Sequence, residues 1–114
     1  MKKGEAWPEE LPDAITVCDK RGVILTMNRA ATEVFKKDGG RKLIGKNILP
    51  CHPQPSRSLL TGMLKHPRQN TYTIQKGKIK KLIHQSPWYK QGRFAGFVEI
   101  SIILTKKMAH HVRP

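Results

Sequence analysis

Between Asp38 and Glu99 the chain has no acidic residue, although the same stretch holds twelve Lys and Arg. The whole sequence of 114 residues sets 22 Lys and Arg against 8 Asp and Glu, for a formal charge of +14 and a pI of about 10.3. The missing carboxylates exclude an acid–base pair of catalytic carboxylates from the middle of the chain. Cysteine is scarce as well. Cys18 and Cys51 are too few for a disulfide framework, which reads as a reduced, cytoplasmic protein. No apolar run approaches the roughly 20 residues of a membrane span, so no membrane contact is expected. Behind Met1, Lys2 and Lys3 there is no apolar stretch, which excludes a secretory signal, and Met1 is read as a true start.

What is present reads as one folded domain. Hydrophobic residues make up 38% and charged residues 26%, with no low-complexity tract of the kind that stays disordered. The length suits a single core. Residues 6–11 read as a short helical turn ended by Pro12 and Asp13. Residues 14–18 and 23–27 are β-branched runs joined by Asp19, Lys20, Arg21 and Gly22, which predicts a hairpin. Asn28 stands before Arg29, Ala30 and Ala31 as a helix N-cap, and Gly39 with Gly40 stops that helix. Residues 43–49 read as a helical turn. Pro50, Pro53 and Pro55 exclude regular helix around them. Ser56 or Ser58 then caps a helix with Leu59, Leu60, Met63 and Leu64 on one face, closed by His66 and Pro67. Strands are expected over 71–75, 79–85 and 94–104, with a long connection over 86–92. In the last strand Phe94, Val98, Ile100, Ile102 and Leu104 share one face, while Phe97, Glu99, Ser101 and Ile103 share the other. Strands segregated from helices argue an α+β fold with an antiparallel sheet, one face covered by the helices.

These residues resemble a PAS domain. Asp19 to Ile24, followed by Asn28, Arg29, Ala30 and Ala31, resembles that family's opening hairpin and first helix. Leu43, Ile44, Gly45, Lys46 and Asn47 resemble its central element. Ser86, Pro87, Trp88 and Tyr89, then Gly96, Phe97, Val98, Glu99, Ile100 and Thr105, resemble its closing strands. Cys51, His52 and Pro53 with Ser56 resemble a narrower subgroup that has a Cys-His-Pro block after the central helix. The likeness divides the chain into residues 1–10 as an extension or cap, 11–105 as the domain and 106–114 as a basic tail. It implies a five-stranded antiparallel sheet cupped by short helices around a cavity, in a sensory or signal-relay module that is not an enzyme.

The resemblance also names candidate residues. Val17, Leu25, Leu49, Cys51, His52, Arg57, Leu60, Leu64, Ile74, Ile83 and Ile100 are expected to bind a cavity ligand. Trp7, Phe97 and Ile103 are expected on a dimer or partner face. Heme and flavin are cofactors of some members. The Cys that photosensory flavin members carry after the central Asn is replaced here by Ile48. The His that oxygen-sensing heme members carry on the following helix is replaced by Leu59 or Leu60. Heme would need Cys51 or His52, residue types that ligate iron, and no other metal site is expected. The partners implied are a second copy of the chain, a signalling protein with an acidic surface, or a small anionic ligand. Lys76, Lys78, Lys80 and Lys81 lie near Tyr72, Trp88 and Tyr89, as in faces that track nucleic acid. No nucleic-acid motif accompanies them, and edge lysines also deter aggregation, so nucleic acid is the lesser alternative. A ligand-free interaction module is the alternative to a ligand-binding sensor.

Overall fold

The computed structural model describes residues 6–114. After a 3-10 turn at Trp7–Glu10, the β-branched run forms strand β1 (Ala14–Asp19), and a turn leads to β2 (Ile24–Met27). Asp19 makes the turn: its Oδ1 accepts from the N–H of Arg21 at 2.8 Å and of Val23 at 3.0 Å, the local bonding by which Asp favours turns over strand. Helix α1 (Arg29–Val34) follows, then 3-10 turns at Lys36–Asp38, Gly40–Leu43 and Leu49–Cys51. Helix α2 (Ser56–Lys65) precedes β3 (Asn70–Lys76), β4 (Ile79–Lys90) and β5 (Arg93–Ile103).

The five strands form one sheet in the order β2-β1-β5-β4-β3, every neighbouring pair antiparallel. The last strand of the chain is therefore the central one. The helices pack on one face, as expected for α+β. Ala31 of α1 and Leu43 pack with Ala14, Ile24 and Met27, and Met63 of α2 packs with Cys18 and Phe97. The segment with Gly45 docks on the first hairpin through Ile24 N–H to Lys46 O (2.9 Å) and Ile48 N–H to Gly22 O (2.8 Å).

Three elements differ from expectation. Residues 44–48 are not a helical turn but a bend with a single antiparallel bridge, Asn47 to Val23, between two 3-10 turns. The long connection over 86–92 is strand: β4 continues to Lys90, with Pro87 opposite Phe97. Pro lacks a ladder donor, which argues against a central strand. Here β3 ends opposite Gln85, so beyond that point β4 is an edge with only β5 beside it, where Pro is tolerated. Gln91 and Gly92, both at positive φ, then close a two-residue hairpin of the kind that needs φ > 0 twice. At the start of α2, neither serine caps. Pro55 occupies the cap position, and Gln54 Oε1 accepts from Ser58 N–H at 3.1 Å and from its hydroxyl at 2.7 Å.

Gly96 shows why β5 can press against β1. Its φ is +152°, and a Cβ there would stand 1.9 Å from the Cys18 carbonyl oxygen. The same oxygen accepts from Trp88 Nε1 at 3.0 Å.

Asn28 is the junction of the N-terminal half. Its side chain is buried, at 5% exposure. Oδ1 accepts from the N–H groups of Ile15 (2.9 Å) and Ala31 (3.0 Å), while Nδ2 donates to the carbonyls of Pro8 and Asp13, both at 2.8 Å. The full bonding capacity of an amide with two donors and an accepting oxygen is thereby used. One side chain caps α1, fixes the start of β1 and holds the Trp7–Glu10 turn. Asn28→Ala removes all four bonds and strands buried partners, each a loss of about 1–3 kcal/mol if unmet by water. The expected loss of unfolding free energy is at least about 3 kcal/mol, measured by urea denaturation. A loss below about 1 kcal/mol, the size of a simple N-cap, would contradict this role.

Candidate functional site

A row of polar side chains crosses the helix-covered face of the sheet. Thr16 of β1 lies opposite Glu99 of β5, Glu99 opposite Gln85 of β4, and Gln85 opposite Asn70 of β3. Opposed residues in an antiparallel sheet share a face, so all four look toward the helices. They are also bonded: Gln85 Nε2 donates to Glu99 Oε1 at 2.8 Å, and Asn70 Nδ2 donates to Gln85 Oε1 at 3.0 Å. Gln85 is buried, and both ends of its amide are satisfied, which fixes its orientation and that of the carboxylate.

Two adjoining cavities open over this row. The inner lobe is about 150 Å³, walled by Cys18, Met27, Ile48, Met63 and Phe97 and carrying Thr16, Gln85, Glu99, Asp38 and His52. The outer lobe is about 320 Å³ and runs toward the β3–β4 hairpin, past Tyr72, Ile74, Ile79 and Ile83 to Lys76 and Lys81. Thr16, Phe35, Asp38, His52 and Glu99 border both. Among the described residues no Lys or Arg lines the inner lobe.

His52 is held by its own backbone neighbourhood. Its Nδ1 lies 2.7 Å from Ile48 O. A carbonyl oxygen only accepts, so Nδ1 carries the proton, and in the neutral ring Nε2 is an acceptor. Burial is the main cause pushing the Cys18 thiol up from its ordinary value, so it is a protonated, apolar wall and not a nucleophile. Burial, with Glu99 nearby, also raises the Tyr72 hydroxyl. Among the described residues no group of three His, Cys, Asp or Glu side chains is placed to hold a metal ion.

Of the residues expected at the cavity, His52, Leu60 and Leu64 line the inner lobe, while Ile74 and Ile83 line the outer one. Val17 and Ile100 do not. Val17 lies opposite Val98, and Ile100 lies opposite Ile15 and His84, all on the far face of the sheet. Leu25 is 46% exposed. Leu49 is in neither lining; its N–H donates to Asn47 Oδ1. Arg57 is exposed, with Nε donating to His52 O, so it braces the Pro-rich loop from outside. The Cys51 side chain lies outside the described residues. The expected partner face also changes. Phe97 lines the inner lobe, Ile103 is exposed on the cavity side opposite Lys81, and Trp7 is exposed on its 3-10 turn.

The physical reason is that the outer sheet face is itself apolar. Alternation in β5 separates two faces without saying which is inside, and the more aliphatic one looks outward. The site residues not anticipated include the apolar walls Met27, Ile48 and Met63 and, among those with polar or thiol groups, Thr16, Cys18, Asp38, Gln85 and Glu99. The signal available for them was Glu99, a lone acid in the middle of an apolar strand.

No protein-family model matches the chain, and no curated protein matches it. Solved structures do. A C-terminal domain from Streptococcus mutans is 20% identical with a TM-score of 0.70, over 89% of this chain and 82% of that one. The PAS domain of Bordetella pertussis BvgS is 21% identical with a TM-score of 0.65, over 91% of this chain and 85% of that one. A Vibrio cholerae receptor described as a dual PAS-heme oxygen sensor is 20% identical with a TM-score of 0.60, over 82% of this chain and 95% of that one. The chain has the PAS fold, and the five-stranded antiparallel sheet with helices on one face is that fold's architecture. Among the described residues no helix is long and apolar enough to cross a membrane.

Proposed function

We propose that this chain is a cytoplasmic sensory module of the PAS type, with no reaction of its own, that binds a small molecule in the inner lobe and passes its occupancy to a partner. The observation that carries the reading is the bonded row Glu99, Gln85 and Asn70. It leads from the wall of the cavity across β4 to the edge strand β3, so a ligand that re-aims Glu99 also acts on the edge of the sheet. Binding shifts a population between two arrangements of this row by the ligand's differential affinity for them. The apolar walls supply affinity, and the few polar groups supply orientation, the usual division in small-molecule sites.

The ligand is small. A lobe of about 150 Å³ matches an engineered cavity that takes benzene and is below the roughly 300 Å³ at which ordinary ligand pockets begin. The Vibrio cholerae receptor is described as a heme sensor, but a tetrapyrrole or a flavin does not fit a lobe of this volume. The anionic ligand expected from the basic composition is not favoured either, because the charged groups lining the inner lobe are carboxylates, Asp38 and Glu99. The basic stretch is better suited to an acidic surface on a signalling partner.

Amide spectra of the labelled protein, recorded with a library of fragments of about the bulk of benzene, test the ligand reading. The expected result is that at least one fragment shifts Thr16, Met63, Phe97 and Glu99, with Asn70 moving in step. If no fragment moves these residues at millimolar concentration, the cavity is closed and the ligand reading fails.

A second reading, the interaction module, is favoured by the outer sheet face. Ile15, Val17, Leu82, Val98, Ile100 and Ile102 share that face by register, a continuous apolar surface of the kind that marks an interface. A second copy of the chain is the occupant we assign to it, paired by a two-fold axis as most homodimers are. Sedimentation over a concentration series is expected to show a dimer that Ile100→Lys converts to monomer. A wild-type protein that stays monomeric at the highest concentration would remove this reading while leaving the first intact.

A further inference from the structure

The charged side chains that line the inner lobe, apart from the imidazole of His52, are carboxylates. Glu99 gives one oxygen to Gln85, and a carboxylate has about four lone-pair sites, so most of its accepting capacity is uncommitted. Asp38 adds a second carboxylate at the rim, exposed at the end of the Lys36–Asp38 turn. His52 also lines the lobe, with Nδ1 held by Ile48 O, which leaves Nε2 an acceptor when the ring is neutral. A ligand that fills this lobe must bring donors, and positive charge if it is to match carboxylates. From these groups we infer that the lobe binds a small protonated amine, its ammonium on Glu99 and its apolar part between Met63 and Phe97. The inference rests on the ligand-site reading above and names the chemistry of the ligand.

The opposing effect is the protein's own charge of +14, which repels cations. Distance decides which effect wins. Lys81 stands four residues along β4 from Gln85, about 13 Å at 3.3 Å per residue. This is a separation along the backbone: the half-buried Lys81 side chain borders the outer lobe together with Glu99 but is absent from the lining of the inner lobe. The ammonium on Glu99 is at contact distance beside low-dielectric walls, where the same charges interact about fourfold more strongly than in bulk water. Local attraction therefore sets the affinity, and the basic exterior slows the encounter. Pre-orientation adds to this. Glu99 is already held by Gln85, and Gln85 by Asn70, so little ordering is left for the ligand to impose.

Three ring compounds of nearly equal bulk separate the possibilities: benzylamine, benzyl alcohol and benzoate. Each is titrated at neutral pH into the full chain, with affinities read from the amide shifts of Met63 and Phe97. Benzylamine is expected to bind at least about tenfold more tightly than benzyl alcohol, with benzoate the weakest. Glu99→Gln keeps an oxygen for Gln85 to bond but loses the charge, and it is expected to bring amine and alcohol within about threefold of each other. Glu33→Gln, on the exposed side of α1, is expected to change nothing. Equal binding of amine and alcohol by the wild type overturns the inference, and so does tightest binding of benzoate, while the ligand-site reading survives both. Absence of any shift from all three overturns the amine inference on its own; the ligand-site reading falls with it only if the wider fragment library is also silent. The wild-type ranking stands without the variant, should Glu99→Gln fail to fold.

Discussion

Four hydrogen bonds to one buried amide organise this fold. Asn28 ties the Trp7–Glu10 turn, the start of β1 and the first turn of α1 to a single point. Beyond that point β1 supplies Thr16 and Cys18 to the cavity, and the segment after α1 supplies Phe35 and Asp38. An aspartate could accept the two N–H bonds but would face the carbonyls of Pro8 and Asp13 with negative charge, so the amide is the side chain that satisfies all four. A polar network of this kind stabilises only when it is complete. Among the described residues no buried side-chain polar atom lacks a partner, so the cores around it are not strained by an unmet group.

The architecture was largely legible in the sequence because it rests on local chemistry. Asp19 before Gly22, Asn28 before an alanine pair, and glycines at the β-turns each act within a few residues of themselves. The candidate site was less legible because it depends on which sheet face turns inward. β5 is apolar on both sides, so its pattern fits either assignment. Only the cross-strand register, with Phe97 opposite Cys18 and Glu99 opposite Thr16, puts Phe97 and Glu99 inside and leaves Val98 and Ile100 outside. The continuation of β4 through Pro87 was hidden for a related reason. Whether a proline is tolerable depends on whether the strand has a neighbour at that point, which is a tertiary fact.

Charge is divided between the surface and the cavity. Lys76 and Lys81 border the outer lobe, whereas among the described residues the acids Asp38 and Glu99, which border both lobes, are joined by no Lys or Arg at the inner one. The sum over the chain is strongly positive, yet the potential felt by a molecule in the inner lobe is set by its nearest groups, because exposed charges are screened beyond about a Debye length. Net charge thus speaks to encounter and to partners, and the lining speaks to the ligand. The two point to different molecules, an acidic surface outside and a donor-rich one inside.

Everything proposed for the ligand requires the inner lobe to be an accessible, ligand-sized space. A crystal of the protein pressurised with xenon tests this, since xenon enters the apolar part of a cavity of this size. Xenon density is expected among Met27, Met63 and Phe97, with the Glu99 and Gln85 bond intact beside it. Side chains closed over that space, with no xenon between them, would contradict the claim and leave the chain an interaction module whose surfaces alone carry its function.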